Sequence, residues 1–210
     1  MQQAQGTAVS NEDDYLDIGD ELLAGAHGGP NAPLPDDMHP LAKRTIRAID
    51  TFSDWQGKVV CLMVVPIIFA MVYEVIARKF FIAPTLWSFD ISRMLYGMSF
   101  MLGAAYVLMR GLHIRADFIY RSFPVRLQGW VDLLLYIFLF MPGMLFLLWA
   151  GYEFALKSYL QNETAGDSTW APIVWPVKIA LALGVFFLVL QGISEILKSW
   201  YAATRGRWPK

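Results

Sequence analysis

The sequence predicts an all-α integral membrane protein: four transmembrane helices with both termini in the cytoplasm, preceded by an amphipathic interfacial helix. Three observations carry this. Of 210 residues, 56% are hydrophobic and only 17% are charged, with a mean hydropathy of +0.42, whereas soluble domains carry roughly 25% charge. The apolar residues gather into four runs, each matching the roughly 20 residues that cross a bilayer core as a helix. The basic residues favour alternate connections between those runs, the bias that sets membrane orientation.

Residues 1–39 read as a disordered acidic tail. Ten of the 18 acidic residues precede Lys58, and a stretch rich in Gln, Gly, Asp and Pro buries too little apolar surface to offset its ordering entropy. Only residues 14–23 have the composition for a short helix. The start of the chain lacks the basic and apolar regions of a signal peptide. Residues 40–57 behave differently. Wound at about 100° per residue, Leu41, Ile46, Ile49, Phe52 and Trp55 share one half of a helix, and Lys43, Arg44, Arg47, Asp50 and Asp54 the other. Two readings fit: a helix lying at the membrane surface with its basic residues toward headgroups, or the first turns of a long helix entering the bilayer.

The transmembrane domain occupies residues 58–200, with spans near 59–77, 91–109, 133–152 and 173–193, and a basic tail follows over 201–210. Glu74, Arg93 and Lys178 are the charges inside these runs, each near an end. The runs lack the alternation of a barrel strand, so helices satisfy the backbone in lipid. Pro66 and Pro142 fall mid-span and should kink the first and third helices.

Orientation follows from the basic residues. Lys43, Arg44, Arg47 and Lys58 precede the first span; Arg110, Arg115, Arg121 and Arg126 occupy the second connection; Lys198, Arg205, Arg207 and Lys210 follow the last. The first connection holds only Arg78 and Lys79, and the third Lys157 with Lys178 at its edge. Both termini are therefore expected in the cytoplasm. Trp87, Trp130, Trp170, Trp175, Trp200 and Tyr201 flank the spans as interfacial aromatic belts do.

Several function classes fall away. A net charge of −1 with no basic stripe gives no nucleic-acid footprint. Cys61 is the single cysteine and sits in an apolar run, where it reads as a small hydrophobe. His113 is the one histidine near the membrane body, so paired-histidine haem or metal ligation within the spans is not available. No cofactor and no catalytic group are expected.

The remaining constellations have structural and functional readings. Glu74 and Arg78 are four apart with the acid first, the favourable order for a helical pair, although an acid inside a span is also an ion-site candidate. Ser88 and Asp90 suit the cap and first turn of the second span. Arg93, three residues on, could neutralise Asp90 within the chain, or both could meet a partner subunit. Ser99 with Gly103, and Ala180 with Gly184, space small residues for close helix approach. Gly111 suits a helix C-terminus, with Arg115 and Asp117 holding a polar turn after it.

Together these segments resemble a known family. Trp87-Ser88-x-Asp90-x-x-Arg93, then Gly103-Ala104-Ala105-Tyr106, then Gly111-x-His113-Ile114-Arg115-x-Asp117 resemble the small permease (DctQ-like) subunit of tripartite ATP-independent periplasmic (TRAP) transporters. The resemblance covers about residues 55–200. The later segment Ser168-Thr169-Trp170-Ala171-Pro172, followed by Trp175-Pro176-Val177-Lys178, resembles the branch labelled mannitol/chloroaromatic-compound type. Many members carry two adjacent acids after the Trp-Ser pair, where this chain has Phe89 and Asp90. The resemblance implies a Na⁺-coupled uptake system in the bacterial inner membrane. A periplasmic binding protein (DctP-like) would deliver an organic acid anion to a large permease subunit (DctM-like), with this chain as the latter's scaffold. Two other classes compete: a self-sufficient small transporter, which needs a midplane polar site, and a structural subunit of a membrane oxidoreductase complex.

Overall fold

The computed structural model describes residues 34–35, 37–111 and 123–209. The tail up to residue 33, with its expected short helix, and the motif residues His113, Arg115 and Asp117 lie outside the described residues. The described chain forms α1 (Pro40–Leu62), α2 (Val64–Phe80), α3 (Ser88–Met109), α4 (Val125–Leu135), a π-helical turn (Tyr136–Phe140), α5 (Met141–Leu160) and α6 (Trp175–Arg205). α1 abuts α2, and α4 joins α5 through the π turn. Four rods result, Pro40–Phe80, Ser88–Met109, Val125–Leu160 and Trp175–Arg205, each long and apolar enough to cross a membrane. Their outer surfaces carry large apolar side chains such as Phe69, Leu139 and Leu160, each about 70% exposed; lipid is the solvent that tolerates such a surface.

Both helix interruptions fall beside the prolines. Pro66 has no N–H to give the Leu62 carbonyl, and the helix breaks at Met63, whose N–H turns to the Val60 carbonyl at 2.9 Å. Pro142 likewise leaves Phe138 without its helical donor, and the π turn directly precedes it. Gly192 makes room for that widened turn, because a Cβ there would lie 2.6 Å from the Phe140 ring.

α6 is the hub of the bundle, packing on α1, α3, α4 and α5. Of its most apolar stretch 44% is buried, against 6% for the Val125–Leu160 rod. Ala180 and Gly184 are an internal contact: a Cβ on Gly184 would come 2.5 Å from the Met101 carbonyl oxygen, so only glycine lets α3 and α6 approach this closely. The pair expected in α3 behaves otherwise. A Cβ on Gly103 would meet Val60 of α1 at ordinary contact distance, 3.7 Å, and Ser99 turns its hydroxyl to its own helix, donating to the Tyr96 carbonyl.

α1 settles against α6 in the opposite direction. Ser53 meets Gln191, Asp50 meets Ser194 and Lys198, and, just before α1, Asp37 meets Tyr201 and Arg207. The helix therefore runs along the bundle, as expected for the first turns of a long helix leading into the first span. Its inward face carries Asp50, Ser53, Gln56 and Gly57, while Leu41 and Trp55 from its apolar half are more than 60% exposed. Within the stretch expected as tail, Leu34 and Met38 pack with Ile46 and Tyr201. One end of the bundle thus gathers the start of α1 and the end of α6 (the terminal end), and the other gathers the first and third connections (the hairpin end).

Candidate functional site

Polar side chains collect in two layers, one at each end of the bundle. At the hairpin end, the two sequence segments around Asp90 and Ser168 come together. Asp90, 4% exposed, accepts a hydrogen bond from the Ser168 hydroxyl and lies 3.5 Å from the Arg93 guanidinium. Arg93 reaches further, to Asp167 at 2.5 Å. The expected Asp90–Arg93 pair therefore forms, but each member is also tied to the third connection. Ser88 departs from expectation: it caps nothing, and its buried hydroxyl donates to the Ala70 carbonyl at 2.5 Å, fastening α3 to α2. A neighbouring helix offered a buried acceptor, which outweighs a local cap. Trp87 stacks on Tyr73 with ring centroids 5.6 Å apart.

The third connection is built to hold this position. Ala165 N–H donates to the Pro172 carbonyl at 2.8 Å and Val174 N–H to the Glu163 carbonyl at 2.9 Å, closing a small loop with an antiparallel bridge between Thr164 and Ile173. Trp170 N–H donates to the Ser168 hydroxyl, and the Trp170 ring stays 44% exposed. Pro176 occupies the first turn of α6, where its missing N–H costs nothing. Lys178 pairs with Glu163 and sits 3.8 Å from the Phe154 ring centroid, an arrangement that keeps a cation at the rim of a span. Outside the spans, the Arg93 hydrogen bond holds Asp167 below its ordinary carboxylate pKa, and Lys178 does the same for Glu163.

Glu74 is fully committed to structure. Arg78 donates to one carboxylate oxygen from Nε at 3.0 Å and from Nη2 at 2.5 Å, and Thr85 donates to the other from its backbone N–H at 2.9 Å and from its hydroxyl. The carboxylate closes the first connection against α2, which is the structural reading of the Glu74–Arg78 spacing.

The terminal end holds a network that the sequence reading missed. Lys198 Nζ lies 2.8 Å from Asp50 Oδ2 and 2.9 Å from Glu195 Oε1. Ser194 and Gln191 donate to Asp50 Oδ1 at 2.8 and 3.0 Å, and Ser53 donates to Gln191 Oε1 at 2.8 Å. All six side chains are at least 95% buried. A signal was present in the sequence: Gln191, Ser194, Glu195 and Lys198 recur at spacings of three and four, one polar stripe along an otherwise apolar helix. Nearby, Arg110 at the end of α3 lies 3.3 Å from Asp54 and over the Tyr106 ring. Gly111 takes φ +66°, the left-handed turn expected of a helix C-terminus. Beyond the network, Arg207 grips Asp37 through both carboxylate oxygens at 2.7 and 2.8 Å, and Tyr201 donates to the same group at 3.0 Å.

Between the layers, α6 presents Ala180, Gly184, Val185 and Val189 inward, and Gln56 donates to the Leu102 carbonyl. The arrangement joins helices to one another. Comparison with known proteins agrees in kind. No curated protein matches the chain, but residues 67–202 match the family model described as "Tripartite ATP-independent periplasmic transporters, DctQ component". That match covers α2 beyond Pro66 through most of α6, including Trp87, Asp90, Arg93, Trp170 and Pro172. The chain belongs to the DctQ family, the small permease subunits of TRAP transporters.

Proposed function

We propose that this chain is the immobile scaffold of a Na⁺-coupled importer in a bacterial inner membrane. The importer takes an organic acid anion from a periplasmic DctP-like binding protein and passes it through a larger DctM-like permease beside this subunit. The carrying observation is where the buried ionisable groups sit: Asp50, Glu195 and Lys198 at one end and Glu74, Asp90 and Lys178 at the other, all engaged within the chain. An alternating-access carrier needs a polar site near the bilayer centre and elements that expose it to each side in turn. Here the centre is occupied by small and apolar contacts between α3 and α6. The basic residues assign the terminal end to the cytoplasm and the hairpin end to the periplasm. The Asp90–Ser168 and Arg93–Asp167 ties hold the periplasmic surface in one shape for its partners.

Reconstitution into liposomes tests this, with a Na⁺ gradient, saturating binding protein and the system's own substrate. Uptake is expected only with both membrane subunits present, and Glu74→Gln should leave the Na⁺ dependence unchanged. Accumulation by this chain without the large subunit would restore the self-sufficient transporter.

A further inference from the structure

The terminal end keeps two cations that its networks leave without carboxylates. Elsewhere at this end, Lys198 holds Asp50 and Glu195, Arg207 holds Asp37, and Arg110 and Lys58 share Asp54. Arg126, in the first turn of α4, and Arg205, in the last turn of α6, are exposed and meet no carboxylate among the described residues. The fold nevertheless brings them together. Arg126 lies across Gly206, the residue after Arg205: a Cβ there would come 3.0 Å from the Arg126 Nε. Like charges set side by side repel until an anion joins them. The start of α4 has no side-chain cap, so the positive end of its helix dipole adds to the attraction.

What lies beyond the arginines selects the anion. Arg126, Trp130, Leu134 and Phe138 recur every four residues, one stripe on the outer face of the rod. The last three are 46%, 49% and 74% exposed. Trp130 packs edge to face on Trp200 of α6, with ring centroids 6.5 Å apart, and Trp200 is also exposed. The surface therefore passes from guanidinium to indole to hydrocarbon over about 18 Å. Indole rings settle where headgroups meet hydrocarbon. The order of side chains along the stripe thus sets the level: the arginines face headgroups, and Leu134 and Phe138 face acyl chains. A free phosphate would engage the arginines alone and leave the apolar part of the stripe unused.

We propose that the junction of α4 and α6 binds an anionic phospholipid. Its phosphate sits at Arg126 and Arg205, and an acyl chain runs along Trp130, Leu134 and Phe138. Basic sites between transmembrane helices hold anionic headgroups in this way. A guanidinium suits a phosphate because it donates two parallel hydrogen bonds. The lipid supplies the negative charge that the chain itself provides to Arg207 and Lys198 but not to these two arginines.

The test uses the full-length chain in phosphatidylcholine nanodiscs that carry a trace of phosphatidylglycerol with a photoreactive acyl chain. Phosphatidylcholine bearing the same group is the reference. Labelling of the peptide that holds Trp130 and Phe138 is expected to favour the anionic lipid, by about fivefold for each arginine. It should fall to the reference level in the Arg126→Gln, Arg205→Gln double variant, which changes exposed side chains only and should melt as before. Arg44→Gln with Arg47→Gln removes two exposed charges from α1 and should leave this labelling unchanged. Equal labelling by the two lipids, or an equal loss in the α1 variant, would reduce the effect to general lipid contact or net charge and overturn the proposal. Competition by inorganic phosphate at constant ionic strength would overturn it in favour of a free anion. Loss of the labelling when the large subunit is present would overturn it in favour of a protein contact.

Discussion

The two ends of this bundle use the same residue types for opposite purposes. At the terminal end, Asp50, Glu195 and Lys198 are withdrawn from solvent, and the side chains of α1 and α6 interlock through them. At the hairpin end, Arg93 and Asp167 meet while 46% and 62% exposed, and Arg78 covers Glu74 while 69% exposed. Burial decides what each is worth. A buried ion is costly to leave without its partner, so the terminal network makes one arrangement of α1 on α6 strongly preferred. An exposed pair is screened and contributes little, so the hairpin ties set the shape of a surface without much energy behind it. The terminal network is locked by burial, whereas the exposed Arg93–Asp167 pair adds little energy to a hairpin end already fastened from inside by Ser88 and Asp90.

Lys198→Met is the harshest test of that contrast. It leaves Asp50 buried without its cation, and unfolding of the purified subunit in detergent should show a loss of about 3–5 kcal/mol. A loss below about 1 kcal/mol would mean that water reaches the network and that the two ends do not differ. Gly184→Val asks whether the middle is equally rigid. A Cβ there meets the Met101 carbonyl, so the expected cost is about 1–3 kcal/mol, read in the same unfolding experiment.

Truncation sharpens the boundary of the locked end. Removing residues 1–33 should leave hydrogen exchange over residues 201–207 unchanged. Removing residues 1–37 also deletes Leu34 and Asp37, and exchange there should accelerate. The effect at the hairpin end should be smallest and visible only in acid. Because Arg93 holds Asp167 below its reference pKa of 3.8, the stabilisation is complete above that value and is lost as pH falls through the lower folded value. The protection of residues 163–174 against exchange, corrected for the intrinsic pH dependence of amide exchange, should therefore be flat from pH 7 to about 4 and fall below. A fall already between pH 7 and 5 would contradict the pairing.

Much of the architecture was legible because lipid imposes a simple rule on length and polarity. The four spans, the interruptions at Pro66 and Pro142, the Glu74–Arg78 pair and the Gly111 turn all depend on neighbours within a few residues. What escaped depends on residues far apart in the chain. Asp50 lies on the polar half of an amphipathic pattern, and from the sequence that half faces headgroups or water equally well. Only α6 arriving beside it, with Ser194 and Lys198 in register, takes Asp50 inward while Arg44 and Arg47 stay exposed. Ser88 followed the same logic: its own helix start offered it a cap, and Ala70, eighteen residues earlier, offered a buried acceptor. The meeting of Asp90 with Ser168 across 78 residues brought two recognised motif segments together, which neither segment alone could announce.

The spacing of charges along α6 makes this helix a ruler. Lys178 and Lys198 bracket its apolar stretch twenty residues apart, a separation of about 30 Å, and that is the thickness of a typical hydrocarbon core. Sliding along the membrane normal would carry one of these ion pairs into hydrocarbon, where charged groups are costly, so the helix resists bobbing. A bilayer that is too thin or too thick must itself deform around the protein, at a cost of fractions of a kcal/mol per Å of mismatch. The subunit thereby sets the height at which anything bound to it rides, and it presents neighbouring proteins with a local membrane of defined thickness.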